Sequence, residues 1–364
     1  MRIALAAVAG TLGGPATYGF ELASALNSEF PADELTVFTD RPDMFPEQLR
    51  TVRIPLPSPW AQPLWDHFGL PLRLAGAGYD VFHATKGILP RILFMPAVVT
   101  VHDLAFRTMP ETFSGAQRLH LSLETPATLR RAQAVITDSE SSASDLRGFY
   151  PAVKDRVTVV PLGVPSPARE AGREEVDRWR RARGIEGPAV GYLGTLQPRK
   201  NLDLLAEAFL LAAGDRDWRL LLAGRLRPGY RPKCLKRGDR RISYLGPIAN
   251  DEVAAFLGSL NCMVSPSSYE GFGLSMLEAM ASGCPVVGLD NSSVREVVGD
   301  AGILLDSADL RALAATIGRV VDDAGLALDL KQRGLRRAAL FTWKATARRT
   351  HEIYEGLVGG SPRP

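Results

Sequence analysis

Two glutamates stand eight residues apart in the run Pro266-Ser-Ser-Tyr-Glu270-Gly-Phe-Gly-Leu-Ser-Met-Leu-Glu278, on either side of a Gly-Phe-Gly turn. The apolar pattern beyond the turn predicts a helix starting near Leu274, which leaves Glu270 in the loop and puts Glu278 one turn inside the helix. Backbone amides at a helix entry favour anions, and two acids beside them would repel a bare phosphate. Ionised carboxylates make strong acceptor bonds to sugar hydroxyls instead. Taken singly, Glu278 also reads as a surface acid. A second motif is Gly191-Tyr-Leu-Gly194-Thr195-Leu-Gln-Pro-Arg199-Lys200-Asn201. A planar guanidinium and a point charge ahead of the predicted helix Leu202–Ala213 suit a diphosphate, with a solvated cation pair as the plainer reading. The third is Val99-Thr-Val-His102-Asp103-Leu, where the imidazole would donate to a substrate hydroxyl or polarise a leaving group, or serve as a structural histidine. The fourth is the loop from Gly10 to Gly19, in which Gly13 and Gly14 let amides approach an anion and Pro15 suits the first turn of a helix. Its spacing is not that of a dinucleotide fingerprint. Asp40, ending the next strand, nonetheless keeps a dinucleotide site open, and a tight strand–helix turn also accounts for the glycines. Two glutamates, an Arg-Lys pair and glycine loops together fit a diphosphate with sugars at its ends.

These residues need elements to hold them, and the chain alternates short apolar runs with longer helical patterns. Strands are expected at Ile3–Val8, Leu35–Thr39, Val81–Ala84, Ala97–Val101, Ala134–Thr137 and Val157–Val160. Six more are expected at Val190–Leu193, Leu220–Ala223, Ile242–Leu245, Cys262–Val264, Val286–Gly288 and Ile303–Leu305. Many are apolar throughout, as strands covered on both faces must be, and strand–helix alternation implies parallel sheets. Between the sixth and seventh, Pro161 to Pro188 is rich in proline and glycine before a charged helix, Glu174–Arg183. The expected organisation is therefore an N-terminal Rossmann-like domain over 1–165 and a linker over 166–187. A C-terminal Rossmann-like domain follows over 188–343, which the resemblance given below makes the nucleotide-sugar-binding one, and a last helix and tail over 344–364 cross back to the first domain. In open parallel sheets ligands sit beyond the carboxyl ends of the strands, so two such sheets facing each other would form a cleft lined by the four motifs.

Composition narrows the class. At about 150 residues per domain, 364 residues make roughly two domains. A hydrophobic share of 46% and a charged share of 23% belong to a soluble globular protein and exclude a disordered tail, a fibrous repeat or a channel. Net charge is +3, which provides no field for nucleic acid. Cys234, Cys262 and Cys284 are an odd number, which argues against a disulfide framework, and with the five histidines they fit no zinc spacing. Arg2 and the run Ile3 to Ala9 have the outline of a short signal peptide, but the run is at the lower limit for one and is followed by the glycine turn and helix the fold requires. The longest uncharged stretches, Ile54 to Trp65 and Val253 to Tyr269, are broken by Pro, Asn and Ser, so a cytoplasmic protein is expected. The stretch Arg225 to Arg241 carries eight basic residues and one acid. It reads as a solvated loop, with weak contact to an anionic acceptor or a membrane surface as the other reading.

The glycine-rich first loop, His102-Asp103, Arg199-Lys200-Asn201 and above all the E-x7-E pattern from Glu270 to Glu278 resemble the retaining GT-B glycosyltransferases of family 4. The resemblance extends to Val157-Thr-Val-Val-Pro-Leu-Gly-Val and to Ser293-Val-Arg-Glu-Val-Val-Gly-Asp-Ala-Gly-Ile-Leu-Leu, and so covers nearly the whole chain. It implies a GT-B fold of two doubly wound domains and transfer of a hexose from a nucleoside-diphosphate sugar. On that resemblance Glu278 would bind the ribose, and Arg199 and Lys200 the diphosphate. Glu270, with the amides of Phe272, Gly273 and Leu274, would hold the donor sugar and pyrophosphate. His102 would lie against the sugar, Gly13 and Gly14 would close over the distal phosphate with Gly194 and Thr195 nearby, and the base would stack near Leu245 to Ile248. No cofactor and no metal are implied, because basic residues and helix ends take the place of a cation. Retention in this family is usually argued to proceed on one face, with the leaving diphosphate helping to deprotonate the acceptor, so no nucleophile is named. The stretch His102-Asp-Leu-Ala-Phe-Arg-Thr-Met-Pro-Glu-Thr-Phe is most similar to the mannosyltransferase branch and favours a GDP-mannose-type donor, with a UDP-hexose or UDP-N-acetylhexosamine as the other choice. A nucleotide-sugar epimerase of the same architecture and a non-catalytic nucleotide-binding module are the alternatives. The acceptor, whether carbohydrate, lipid-linked or a small molecule, would meet loops in which Trp60, Trp65, Phe68 and Phe106 either stack on it or pack.

Overall fold

The apolar runs become strands of two all-parallel sheets. In a computed structural model describing residues 1–8, 13–55 and 62–359, the first sheet contains β1 (Arg2–Ala6), β2 (Glu34–Thr39), β3 (Arg50–Arg53), β4 (Val81–Ala84), β5 (Ala97–Thr100), β6 (Ala134–Thr137) and β7 (Val157–Val159). Its order is β3-β2-β1-β4-β5-β6-β7. The second contains β8 (Ala189–Leu193), β9 (Arg219–Ala223), β10 (Ile242–Gly246), β11 (Cys262–Ser265), β12 (Val286–Leu289) and β13 (Ile303–Leu305), ordered β10-β9-β8-β11-β12-β13. Both are doubly wound: the chain adds strands to one side of the first strand, then returns and builds outward on the other. The crevice outside the carboxyl ends at such a reversal is where ligands bind. The reversals lie between β1 and β4 and between β8 and β11.

The first sheet has seven strands where the sequence suggested six. The additional one, β3, reads Arg-Thr-Val-Arg, is partly exposed and pairs only with β2. An edge strand with one neighbour need not be apolar, which is why composition concealed it. Interior strands behave as expected: β4 is Val-Phe-His-Ala and all four residues are buried.

The chain divides into two units, Met1–Gly163 with Thr342–Pro364 and Val164–Phe341. Residues 166–187 fall inside the second unit. Their helix, Arg173–Ala182, packs the Trp179 ring edge-on against Phe256 at 5.6 Å. The helix Leu202–Ala213 (Leu-Asp-Leu-Leu-Ala-Glu-Ala-Phe-Leu-Leu-Ala-Ala) is made of strong helix formers and buries Leu202, Leu205, Ala206 and Phe209 at helical spacing. It stops at Gly214, whose φ of 54° suits a helix C-terminus. Among the described residues no helix is long and apolar enough to cross a membrane.

The last helix, Trp343–Gly359, belongs to the first unit and packs on the helix Gly14–Glu29. Its Lys344 and Arg348 each lie 3.0 Å from Glu29, and His351 stacks on Phe30 while bonding Asp33 at 2.7 Å. Deeper in, the Tyr354 hydroxyl meets Nδ1 of His83 at 2.6 Å, and Nε2 of His83 meets Thr100 Oγ1 at 2.8 Å. Thr100 in turn bonds the Tyr18 hydroxyl at 2.9 Å. Burial pushes His83 down to about 3, so the ring is neutral and each of its nitrogens has a partner. Tyr354→Phe strands one of them. The expected loss is about 1–3 kcal/mol, read as a lower denaturant midpoint at unchanged slope.

Candidate active site

The loops that follow β8 and β11 meet at the reversal of the second sheet. After β8 the chain forms a short turn, Pro198–Lys200, and Asn201 takes a left-handed conformation (φ 49°) before the next helix begins. That conformation turns the Asn201 amide across to the other loop, where Nδ2 donates to the Pro266 carbonyl at 2.9 Å and to Ser268 Oγ at 2.7 Å. The Ser268 amide donates back to the Arg199 carbonyl at 2.8 Å. Stitched together in this way, the loops bring three charges into contact. Lys200 Nζ donates to Glu270 Oε1, and Arg199 Nη1 donates to Glu270 Oε2 at 3.2 Å and also to the Tyr269 carbonyl.

Both Lys200 and Glu270 are buried, at 8% and 7% exposure, and buried charges persist only when paired. Burial acts to raise the Glu270 carboxyl, but Lys200 and Arg199 outweigh it and hold it down at about 2. Its main chain is clamped as well: the Glu270 amide donates to Ser292 Oγ at 2.8 Å, and Ser293 Oγ donates to the Glu270 carbonyl at 2.9 Å. Ser292 sits at φ 44°, a second non-glycine residue in the left-handed region beside Glu270. The serine clamp was not read from the sequence. Its only signal is a Ser-Ser pair in the loop after β12, the neighbour of β11.

The remaining predicted positions divide by what holds them. Gly273 precedes the helix Leu274–Ala281 at φ 98° with no side chain capping the first turn, so the backbone itself requires glycine there. Phe272 turns its ring inward against Phe341, leaving only its main chain for a ligand. Glu278 is the fifth residue of that helix and half-buried. Gly194 lies at φ 139° after β8, and a Cβ on neighbouring Gly224 would fall 1.9 Å from its carbonyl oxygen, so two chains cross there at van der Waals limit. The Thr195 carbonyl accepts from Tyr192, and Leu245 and Ile248 lie half-buried at the end of β10.

In the first unit, Gly13 and Gly14 open the helix Gly14–Glu29, and a Cβ on either would meet nothing within 4 Å among the described residues. Gly10 and Trp60 fall outside the described residues. Trp65 is half-buried against the core, Phe106 is buried, and Phe68 is exposed. Basic loop residues are partly tied down: Arg237 pairs with Glu207 at 3.3 Å and Arg241 with Asp239 at 3.1 Å.

His102 belongs to the first unit. It follows β5, as predicted, but both ring nitrogens are engaged: Nδ1 with Asp138 Oδ2 at 2.7 Å and Nε2 with the Thr85 carbonyl at 3.0 Å. A carbonyl only accepts, so Nε2 carries a proton, and the second proton is shared with Asp138. Burial works against the charged ring, but Asp138 prevails and raises the pKa of His102 above its ordinary value. Tyr18 closes one side with its ring edge-on at 4.9 Å. The sequence contains a signal for Asp138 that motif reading passed over: it follows β6 as His102 follows β5, and residues just beyond paired parallel strands are neighbours.

Two outcomes follow. Glu270→Gln leaves two buried cations without their counter-charge, at an expected cost of about 3–5 kcal/mol. Because Glu270 is depressed, its contribution is present above the unfolded value of 4.5 and lost as pH falls through about 2. Urea unfolding should therefore show the gap between wild type and variant narrowing on acidification below about pH 4. For His102, nitrogen-15 spectra should report an imidazolium titrating above 6.5, and Asp138→Asn should lower that midpoint. The raised value means the pair's contribution is complete below about 6.5 and fades as pH rises through the folded midpoint.

Comparison with known proteins agrees with this arrangement. Residues 187–323 match the model of glycosyl transferases group 1, and residues 12–166 match that of glycosyltransferase family 4. The sequence is 30% identical over 290 residues to the O-antigen chain mannosyltransferase B of Escherichia coli, covering 76% of this chain and 74% of that protein. It is 31% identical over 236 residues to the MMP alpha-(1->4)-mannosyltransferase of Mycolicibacterium hassiacum, covering 63% of this chain and 55% of that one. Among solved structures, the sucrose-phosphate synthase of Thermosynechococcus elongatus superposes with a TM-score of 0.78 at 24% identity, over 99% of this chain and all of that one. Two doubly wound parallel sheets, the paired charges at the second sheet's reversal and matches across both halves make this chain a GT-B glycosyltransferase of family 4.

Proposed function

We propose that the enzyme is a retaining transferase that moves a hexose, mannose from GDP-mannose in the first instance, to a hydroxyl acceptor without a metal ion. The observation that carries this reading is the buried Glu270 held ionised by Lys200 and Arg199 beside the uncapped start of the helix Leu274–Ala281. The three side chains sum to one positive charge, and the helix entry adds a partial one, so a diphosphate meets cationic and amide donors there. As the bond to the sugar breaks, negative charge grows on the departing phosphate, where these donors act most strongly. The carboxylate has about four acceptor sites. Lys200, Arg199 and Ser267 occupy three of them, and a donor-sugar hydroxyl would take the fourth. Glu278, half-buried one turn into the helix, is assigned to the ribose hydroxyls.

A carboxyl held at about 2 is a weak base, so Glu270 does not take the acceptor's proton. That proton passes to the departing phosphate oxygen while the acceptor oxygen bonds to the anomeric carbon on the same face, which retains configuration. Mannose is favoured by the mannosyltransferases among the relatives.

The test is to incubate the protein with GDP-mannose and, separately, UDP-glucose and UDP-N-acetylglucosamine, each with a methyl mannoside as hydroxyl acceptor, in the presence of a chelator. Consumption of GDP-mannose with an α-linked product is expected. An inverted product would remove the retaining assignment, loss of activity restored by magnesium would remove the metal-free one, and turnover of a UDP-sugar alone would change the donor. Lys200→Ala should lower turnover about a hundredfold, as for loss of a transition-state donor. Glu278→Ala should weaken GDP binding in calorimetry.

A further inference from the structure

Glu270 meets a third loop besides the two stitched together around it, the one that follows β12. Ser292 lies there at φ 44°, a conformation that glycine holds more easily than any other residue. Serine supplies what glycine lacks, a hydroxyl, and that hydroxyl is used twice. Its oxygen accepts from the Glu270 amide at 2.8 Å, and its proton goes to Asn291 Oδ1 at 3.0 Å. A loop that needed only the turn would be served by glycine.

Asn291 is where these bonds converge. Its Nδ2 donates to the Ser267 carbonyl at 2.7 Å. A carbonyl only accepts, so the side-chain amide has one orientation, with Oδ1 turned to Ser292. Ser267 spends its own hydroxyl proton on the Glu270 carboxylate. That leaves Ser265, the last residue of β11, to donate to Ser267 Oγ at 3.1 Å. Ser265 and Ser267 are 2% and 1% exposed, so water does not compete for these bonds. One asparagine thereby refers both ends of Glu270 to the same point, the main chain through Ser292 and the carboxylate through Ser267.

Charge pairing does not need this arrangement. The last torsion of a glutamate is broad, and cations on long side chains can follow the carboxylate as it turns. Ser267 cannot: it is short, buried, and tied to β11 on one side and to Asn291 on the other. Lys200 and Arg199 therefore supply the counter-charge, while Ser267 and Asn291 set the direction. Direction matters for the one acceptor site of the carboxylate that these donors leave open, because a hydrogen bond weakens steeply as its angle departs from linear.

We propose that Asn291 is a positioning residue for glycosyl transfer, directing the open acceptor site of Glu270 at a hydroxyl of the donor sugar. It acts on the reading that Glu270 holds that sugar, and adds the residue that sets its direction. Two variants of the whole protein test it: Asn291→Ala removes both arms, and Ser292→Gly removes the main-chain arm while easing the left-handed turn, with melting curves to verify each fold. Calorimetry compares GDP with GDP-mannose and UDP with UDP-glucose. A nucleoside diphosphate has no sugar for Glu270 to meet, so its affinity should change less than about twofold, whereas the affinity for the sugar nucleotide and its turnover with methyl mannoside should each fall about tenfold or more. Reductive methylation follows Glu270 without any donor: with the buried pair loosened, Lys200 should be modified about threefold faster relative to Lys154. Equal loss of diphosphate and sugar-nucleotide affinity, no loss of either, or unchanged Lys200 reactivity would overturn the proposal, leaving Asn291 a purely structural part of its loop. A wild-type protein that binds neither sugar nucleotide would instead remove the donor reading. Lys200 reactivity then decides alone whether Asn291 positions Glu270, faster modification sustaining it and an unchanged rate ending it.

Discussion

A buried carboxylate between two cations governs the second half of this enzyme. Bringing Glu270, Lys200 and Arg199 out of water is costly, and their mutual attraction offsets that cost only when the geometry is close. Replacing such a triad with packed apolar side chains would stabilise many folds equally well. Stability alone therefore does not account for it. A strongly perturbed carboxyl at a sheet reversal, beside an uncapped helix entry, is the observation on which the proposed donor site rests. Much of the surrounding structure exists to keep the triad closed: the left-handed turn at Asn201, the amide that crosses to Pro266 and Ser268, and the serine clamp on the Glu270 backbone.

The first unit repeats the device with different residues. His102 and Asp138 follow paired parallel strands, and the pair shares a proton in a nearly dry site. With both nitrogens engaged inside the unit, His102 supports its own loop, since the Ser142 hydroxyl donates to its carbonyl at 3.0 Å. The buried chain of Tyr354, His83, Thr100 and Tyr18 runs from the terminal helix to the ring that packs against His102. The end of the polypeptide thus sets the surroundings of a residue near its beginning.

Surface and interior are connected in the same unit. Glu124 accepts from Arg91 and lies 3.3 Å from His67 Nε2 beneath segments whose exposed side chains are apolar and cationic. A carboxylate that serves as an internal tie also removes a negative charge from that face.

The sequence by itself determined the elements and the motif positions. Continuous apolar runs are strands because both faces of a parallel sheet are covered, and Gly-Phe-Gly followed by Leu274 opens a helix because only glycine readily adopts φ near 98°. What it left undecided were partners distant along the chain. β3 was hidden because an edge strand tolerates Arg-Thr-Val-Arg, and the places of Asp138, Ser292 and Ser293 just after strands do not say which residue each one meets. Only the strand order decided which loops meet. Placing β8 beside β11 joins Lys200 to Glu270 across seventy residues, and placing β5 beside β6 joins His102 to Asp138. Charge pairing and burial depend on distance in space, and periodicity along the chain does not encode that.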